Sequence, residues 1–334
     1  MSVATGGSDA DLLARVHNGS WLDAQTFPAL RYAVPGIVPE GFGLLVGPPK
    51  AGKSWAALAI SLAVASGGIA LGSIPVGPPR PVLYLALEDG DRRLQDRCRK
   101  LLDDQPIPPR LDYVTRADWR TATKLITAWL ERNSGPGPLV LIDTLGKVSP
   151  PPSPGESAYA RDYRIGGAFK AIADDHPGSS VIAVHHDRKA SSDDFVDAVS
   201  GTHGLAGSAD FVIVLDRKRQ ESEGVLKVTG RDVMEAEYAV RLDNHGLWTL
   251  VGASLAAAAA QAIVVKSTAG VGEVQAEIIR FVAGRPNGTS PKDVATALSI
   301  DSDQACTYLT RAVNTGRIDK AGRGMYMPLG CQEC

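Results

Sequence analysis

The apolar residues of this chain fall into short unbroken runs rather than alternating ones. Phe42–Val46, Val82–Leu87, Leu139–Ile142 and Val181–Val184 are such runs. A strand with one wet face alternates apolar and polar side chains, so an unbroken run predicts a strand covered on both faces, as in a parallel sheet. Between the first two, Trp55–Val64 is rich in Ala, Leu and Ile and predicts a helix. Asp91–Leu102 predicts another, capped by Asp89, and a third runs from Tyr159, Arg161 and Tyr163 through Phe169 and Ile172. Phe211–Leu215 and Val225–Thr229 read as a further strand and a partner. Tyr238–Leu242 and Leu247–Val251, joined by Asp243-Asn244-His245-Gly246, read as a closing hairpin. The expectation is an α/β core over residues 36–252 with a mainly parallel central sheet.

Beyond it the pattern changes. Residues 253–271 are Ala-rich and read as a linker, partly helical. Val274–Ala283 has helical spacing, Ser290-Pro291 starts a short helix running to Leu298, and Asp301 or Ser302 caps a third through Val313. Gly316–Lys320 and Arg323–Met327 read as a hairpin. Three helices and a hairpin over 272–330 predict a small winged helix-turn-helix domain. Residues 1–35 form an N-terminal arm, with a short helix expected over Asp9–Val16.

Composition narrows the class without choosing a function. A chain of 334 residues, 44% hydrophobic and 22% charged, is that of a globular protein with ample core. No run approaches the roughly 18 apolar residues of a membrane span, and no basic-then-apolar leader opens the chain. The expectation is a cytoplasmic protein with no membrane partner. Cys98, Cys306, Cys331 and Cys334 are too few and scattered for a disulfide framework. Two thiols at Cys331 and Cys334 cannot close a four-ligand zinc site alone. The net charge of −2 advertises no nucleic-acid partner, although a local basic site needs no basic chain. From residue 271 onward Lys and Arg number seven, and Asp and Glu seven. Arg311, Arg317, Lys320 and Arg323 there could make one basic face toward duplex DNA.

The chemistry concentrates after the first strand. Gly47-Pro48-Pro49-Lys50-Ala51-Gly52-Lys53-Ser54 fits the phosphate-loop pattern G-x-x-x-x-G-K-[ST], and Trp55 opens the helix behind it. A strand, a glycine loop and a helix N-terminus aim backbone N–H groups at one point, as a chain of phosphates requires. Lys53 is expected against the β- and γ-phosphates of ATP, with the Ser54 hydroxyl on Mg²⁺. Glu88 closes the second strand, where a carboxylate opens onto the ligand crevice and can orient or deprotonate an attacking water. Asp143 closes the third, as the Walker B carboxylate supporting Mg²⁺ through water. His185 and His186 close the fourth; neighbours on a strand point to opposite faces, so one of them faces the nucleotide. The polar stretch Asp187–Gly207 is long for a connection and reads as a functional loop.

In order, these motifs are the phosphate loop, Tyr84-Leu85-Ala86-Leu87-Glu88-Asp89, Leu141-Ile142-Asp143-Thr144, His185-His186-Asp187-Arg188-Lys189, Ser200–Gly207 and Gly230-Arg231-Asp232-Val233. The set resembles the RepA-like and DnaB-like branch of RecA-fold ATPases, the hexameric replicative helicases of plasmids, phages and mobile elements. The resemblance implies a RecA-fold sheet and a hexameric ring of identical subunits, with ATP at each interface. It implies that Glu88 activates water, that His186 is the sensor of the γ-phosphate, and that Arg231 is an arginine finger given to the neighbouring subunit. It also implies that the loop after the histidines faces a pore and grips single-stranded DNA. Here that loop offers Arg188, Lys189 and His203 but also Asp187, Asp193, Asp194 and Asp197. Tyr159, Arg161 and Tyr163 are a stacking alternative. Two rival functions share these residues: a recombination-type remodelling ATPase, and a replication or transcription regulator switched by ATP.

Overall fold

The unbroken apolar runs lie side by side at the centre of one nine-stranded sheet in the computed structural model, which describes residues 13–14, 16–135, 137–186 and 203–330. Residues 1–31 are a unit of their own. Within it, α1 (Gly19–Asp23) starts at Asn18, whose side chain accepts a hydrogen bond from the Trp21 amide at 2.8 Å. Leu13, Val16, Trp21, Leu22 and Phe27 are all exposed. The helix expected over Asp9–Val16 falls largely outside the described residues.

The second unit begins at Tyr32. Its first part runs β1 (Tyr32–Val34), β2 (Val38–Pro39), β3 (Gly41–Gly47), α2 (Lys53–Ser66), β4 (Ile69–Ala70), β5 (Ile74–Pro75), β6 (Val82–Ala86), α3 (Asp91–Leu101) and β7 (Leu111–Val114). Then come α4 (Ala122–Arg132), β8 (Leu139–Asp143), a 3₁₀ turn, α5 (Ala158–Asp175), β9 (Ser180–His186), α6 (His203–Ser208), β10 (Phe211–Asp216), β11 (Glu223–Gly230), β12 (Ala236–Leu242) and β13 (Trp248–Leu250). The last part is α7 (Leu255–Thr268), α8 (Glu273–Ala283), α9 (Pro291–Leu298), α10 (Ser302–Asn314), β14 (Asp319–Gly322) and β15 (Met325–Met327).

The large sheet has the order β13-β12-β11-β10-β3-β9-β8-β6-β7. From β10 to β7 neighbours are parallel, and β10 to β13 are antiparallel. Strands β3, β6 and β8 are buried almost throughout because helices cover both faces. Alternate residues of one strand serve opposite cores. Leu45, Tyr84, Leu141 and Val184 meet α2, α3 and α7 through Ala57, Leu94 and Ala258. Leu44, Leu85, Ile142 and Ala183 meet α4, α5 and α6 through Ile126, Phe169 and Leu205. Gly43 permits the close seat of β10, since a Cβ there would lie 2.2 Å from the Phe211 ring.

Three readings need adjustment. Asp89 does not cap α3: the N-cap is Gly90, and the Asp89 carboxylate instead pairs with Arg97 and, at 3.5 Å, with Arg93. The Gly/Pro-rich connection after α2 contains the small β4–β5 hairpin. The Ala-rich 253–271 stretch is mostly the helix α7, which buries Ala258 and Ala262.

The C-terminal helices have a core of their own, with Ile278, Ile279, Val282, Val294, Leu309, Ile318 and Tyr326. Ser290 and Asp293 form a capping box at α9, and Asp301 caps α10. Arg317 donates to the Ser267 and Ala269 carbonyl oxygens at 2.6 and 2.9 Å, at the end of α7. The Arg317 cation is thereby committed to the negative end of a helix. The basic face expected of this module rests on Arg311, Lys320 and Arg323. No helix among the described residues is long and apolar enough to cross a membrane.

Candidate nucleotide site

Strand β9 pairs with β3 on one side and β8 on the other, so the C-terminal ends of β3, β9, β8 and β6 form one rim. Ligands of open α/β sheets bind at such a rim. The loop from Gly47 to Gly52 leaves β3 there and enters α2 at Lys53. Lys50 and Gly52 have φ of +67° and +101°, the left-handed backbone of a loop folded around a ligand-sized hollow. Lys53 is only 3% exposed, and its Nζ donates to the Gly47 and Pro48 carbonyl oxygens at 2.6 and 2.9 Å.

Asp143 is 2% exposed and is held at both oxygens. The Ser54 hydroxyl donates to Oδ1 at 3.1 Å and the Tyr84 hydroxyl to Oδ2 at 2.8 Å. Burial pushes the Asp143 carboxyl up from the usual carboxylate range; the Tyr84 and Ser54 hydrogen bonds and the Arg97 cation oppose this. Tyr84 is fully buried on β6, and burial followed by the Asp143 charge pushes its phenol well above the ordinary value. It therefore stays a donor. Tyr84→Phe keeps the shape and strands a buried carboxylate oxygen, which costs about 1–3 kcal/mol. A urea midpoint shift of that size, against an unchanged midpoint for an exposed Tyr113→Phe, checks it.

Glu88 lies just past β6, exposed at the rim, and accepts from the Thr144 hydroxyl at 3.4 Å. Its neighbour Asp89 is anchored by Arg97, whose guanidinium lies 4.6 Å from the centre of the Trp55 ring. His186 pairs in register with Gly47, at the mouth of the loop, and His185 with Val46. Burial, then the Lys53 cation, hold His186 below its ordinary value, against the pull of Glu88 and Asp143. A neutral imidazole at pH 7 follows, with one nitrogen able to donate to a phosphate oxygen.

Lys53, Ser54, Glu88, Asp143 and His186 therefore meet at one rim. Arg231 does not. Its amide donates to the Asp210 carbonyl oxygen at 2.9 Å, and its guanidinium lies 3.7 Å from the Asp210 carboxylate, with a side chain 60% exposed. The pairing is with Asp210 rather than the nearby Asp232 or Glu235. Strand β10 begins beside Gly43, so Arg231 sits level with the start of β3, about 15 Å from the phosphate loop at roughly 3.3 Å per residue. The loop residues Asp187–Thr202, with Arg188 and Lys189, and the tail cysteines Cys331 and Cys334 lie outside the described residues.

Sequence reasoning missed Tyr84, Arg97, Thr144, Arg217 and Trp248. A tyrosine inside an apolar run is the one available signal for Tyr84, because a buried hydroxyl needs a partner. Arg217 and Trp248 reach the loop from strands distant in sequence.

The fold and this rim define a P-loop α/β protein of the RecA-like ATPase fold. An AAA-domain family model, AAA_25, matches residues 12–192, over half the chain, and the chain belongs to that family. Among solved structures it is similar to an ATPase domain solved on its own, with a TM-score of 0.53 at 14% identity, over 64% of this chain and 85% of that one. It is also similar to a DnaB-like replicative helicase solved with its primase interactions, with a TM-score of 0.51 at 15% identity, over 63% of this chain. The chain spans 58% of that helicase chain.

Proposed function

We propose that this protein is an ATP-hydrolysing motor acting on nucleic acid, a RepA-like replicative DNA helicase working as a ring of identical subunits. The observation that carries the reading is the separation just described. Five residues suited to phosphate, Mg²⁺ and water meet at one rim, and the candidate finger Arg231 stands exposed at the opposite end of the sheet. A site that uses Arg231 takes it from a neighbour.

In this reading the loop N–H groups and Lys53 hold the phosphates of ATP. Ser54 and Asp143 bring a hydroxyl and a carboxylate oxygen within 3.1 Å, a pair of hard oxygen donors that fits Mg²⁺. Ser54 would hold the ion directly and Asp143 through its water shell; the ion neutralises charge building on the phosphates. Glu88 orients the attacking water and takes its proton, and His186 donates to the γ-phosphate and responds to its loss. The 272–330 module is a winged helix-turn-helix that meets duplex DNA through Arg311, Lys320 and Arg323, while single-stranded DNA runs along the loop after His186.

ATP turnover per subunit, measured against protein concentration with and without single-stranded DNA, tests this. A rate that rises with concentration and again with DNA is expected. A rate flat with concentration removes the shared site. A rate indifferent to single strands, beside sequence-specific duplex binding, favours the ATP-switched regulator.

A further inference from the structure

The phosphate loop is held from behind by two side chains that belong to none of its motifs. Arg217 is the first residue after β10, the strand beside β3. Its Nη2 donates to the Lys50 carbonyl oxygen at 2.8 Å and its Nε to the Ala51 carbonyl oxygen at 3.0 Å. Its Nη1 donates to the Glu221 carbonyl oxygen at 2.5 Å, which fixes the fork. Trp248, at the start of β13, donates from Nε1 to the Gly52 carbonyl oxygen at 3.2 Å. Its ring lies 5.9 Å from the guanidinium carbon. Three consecutive carbonyl oxygens of the loop thus each accept from the antiparallel half of the sheet.

The consequence follows from peptide geometry. A trans peptide is planar, with C=O and the next N–H on opposite sides. The Ala51 amide is spent on the Pro48 carbonyl oxygen at 3.2 Å, which closes the turn. Fixing the Ala51 and Gly52 oxygens turns the Gly52 and Lys53 N–H groups the other way, toward the hollow in front. Without the fork, those oxygens are free to rotate their partial negative charge toward an anion. The site also explains Gly52 beyond its backbone angle, since a Cβ there would lie 3.0 Å from Trp248 Nε1.

We infer that Arg217, backed by Trp248, is a positioning residue that presets the loop amides for phosphate before any ligand arrives. This rests on the loop being a phosphate site, as proposed above. A guanidinium has the donor fork for two carbonyl oxygens and a lysine has not, so Arg217→Lys keeps the charge and loses one bond.

The test is equilibrium binding of ADP and of inorganic pyrophosphate, by calorimetry, to the full chain, Arg217→Ala and Arg217→Lys, with Lys53→Ala as control. Arg217→Ala should weaken both ligands by the same factor, about tenfold, as two charge-assisted hydrogen bonds disappear. Arg217→Lys should recover part of that, and ligand-free melting should shift little. Affinities unchanged within about twofold overturn the inference. So does a loss for ADP with pyrophosphate untouched, which assigns Arg217 to the base instead. Should Arg217→Ala not fold, Arg217→Lys and the hydrogen-exchange rates of the Gly52 and Lys53 amides decide: faster exchange supports the role and unchanged exchange refutes it. A wild-type chain that binds neither ligand refutes the phosphate site itself, a separate outcome.

Discussion

Arg231→Ala lowers ATP turnover by about 10³-fold or more, and equal mixing with Lys53→Ala subunits restores part of it. The size is that of an arginine finger, which stabilises charge on the transferring phosphoryl group and contributes about 10³–10⁵ in turnover. A factor of 10³ corresponds to about 4 kcal/mol of transition-state stabilisation. The restoration follows from geometry. Arg231 is separated from its own subunit's loop by most of the length of β3, so no side-chain rearrangement brings it there. An Arg231→Ala subunit keeps an intact rim, and a Lys53→Ala neighbour keeps an intact finger. Each variant alone lacks one half of every site, whereas a mixed interface has both. Turnover of the mixture equal to the sum of the two separate variants would show that Arg231 is only the surface partner of Asp210. Its ion pair is exposed and contributes little to stability, so melting should not change.

Glu88→Gln lowers turnover by about 10²–10⁴ while ATP still binds, because glutamine keeps the shape and cannot take a proton. The structure separates this from a structural role. Gly90, not Glu88 or Asp89, is the N-cap of α3, and Asp89 carries the ion pairs that fasten this turn. Glu88 is left at the exposed rim with the Thr144 hydroxyl. Single-turnover hydrolysis beside nucleotide titration checks it: slow chemistry with affinity held within about twofold is expected. Unchanged turnover would remove Glu88 from the chemistry, and a loss of affinity matching the loss of rate would make it a binding residue.

The core strands were legible because burial on both faces leaves an unmistakable run of apolar residues, and Phe42–Val46, Leu139–Ile142 and Val181–Val184 sit inside observed strands. Strand β7 was not. Leu111-Asp112-Tyr113-Val114 is short, partly polar and at the sheet edge, where half-exposed positions erase the run. Asp89 misled for a different reason: an acidic residue before a helix suits a cap, and an arginine two turns on, Arg97, competed successfully for it. The alternation of β9 limited the rim position to one of two histidines, but only its register against β3, with His186 beside Gly47, selected between them.

The phosphate loop and the strand ends that carry Glu88, Asp143 and the histidines are written in the chain itself. These are contiguous pieces in which local backbone geometry dictates residue type. Everything that depends on which strands are neighbours came from packing instead. Packing inserted β9 between β3 and β8, set Tyr84 against Asp143, brought Arg217 and Trp248 behind the loop from about 170 and 200 residues away, and sent Arg231 to the far end of the sheet. Strand order is a non-local choice made by filling two cores at once, and no single segment of the chain encodes it.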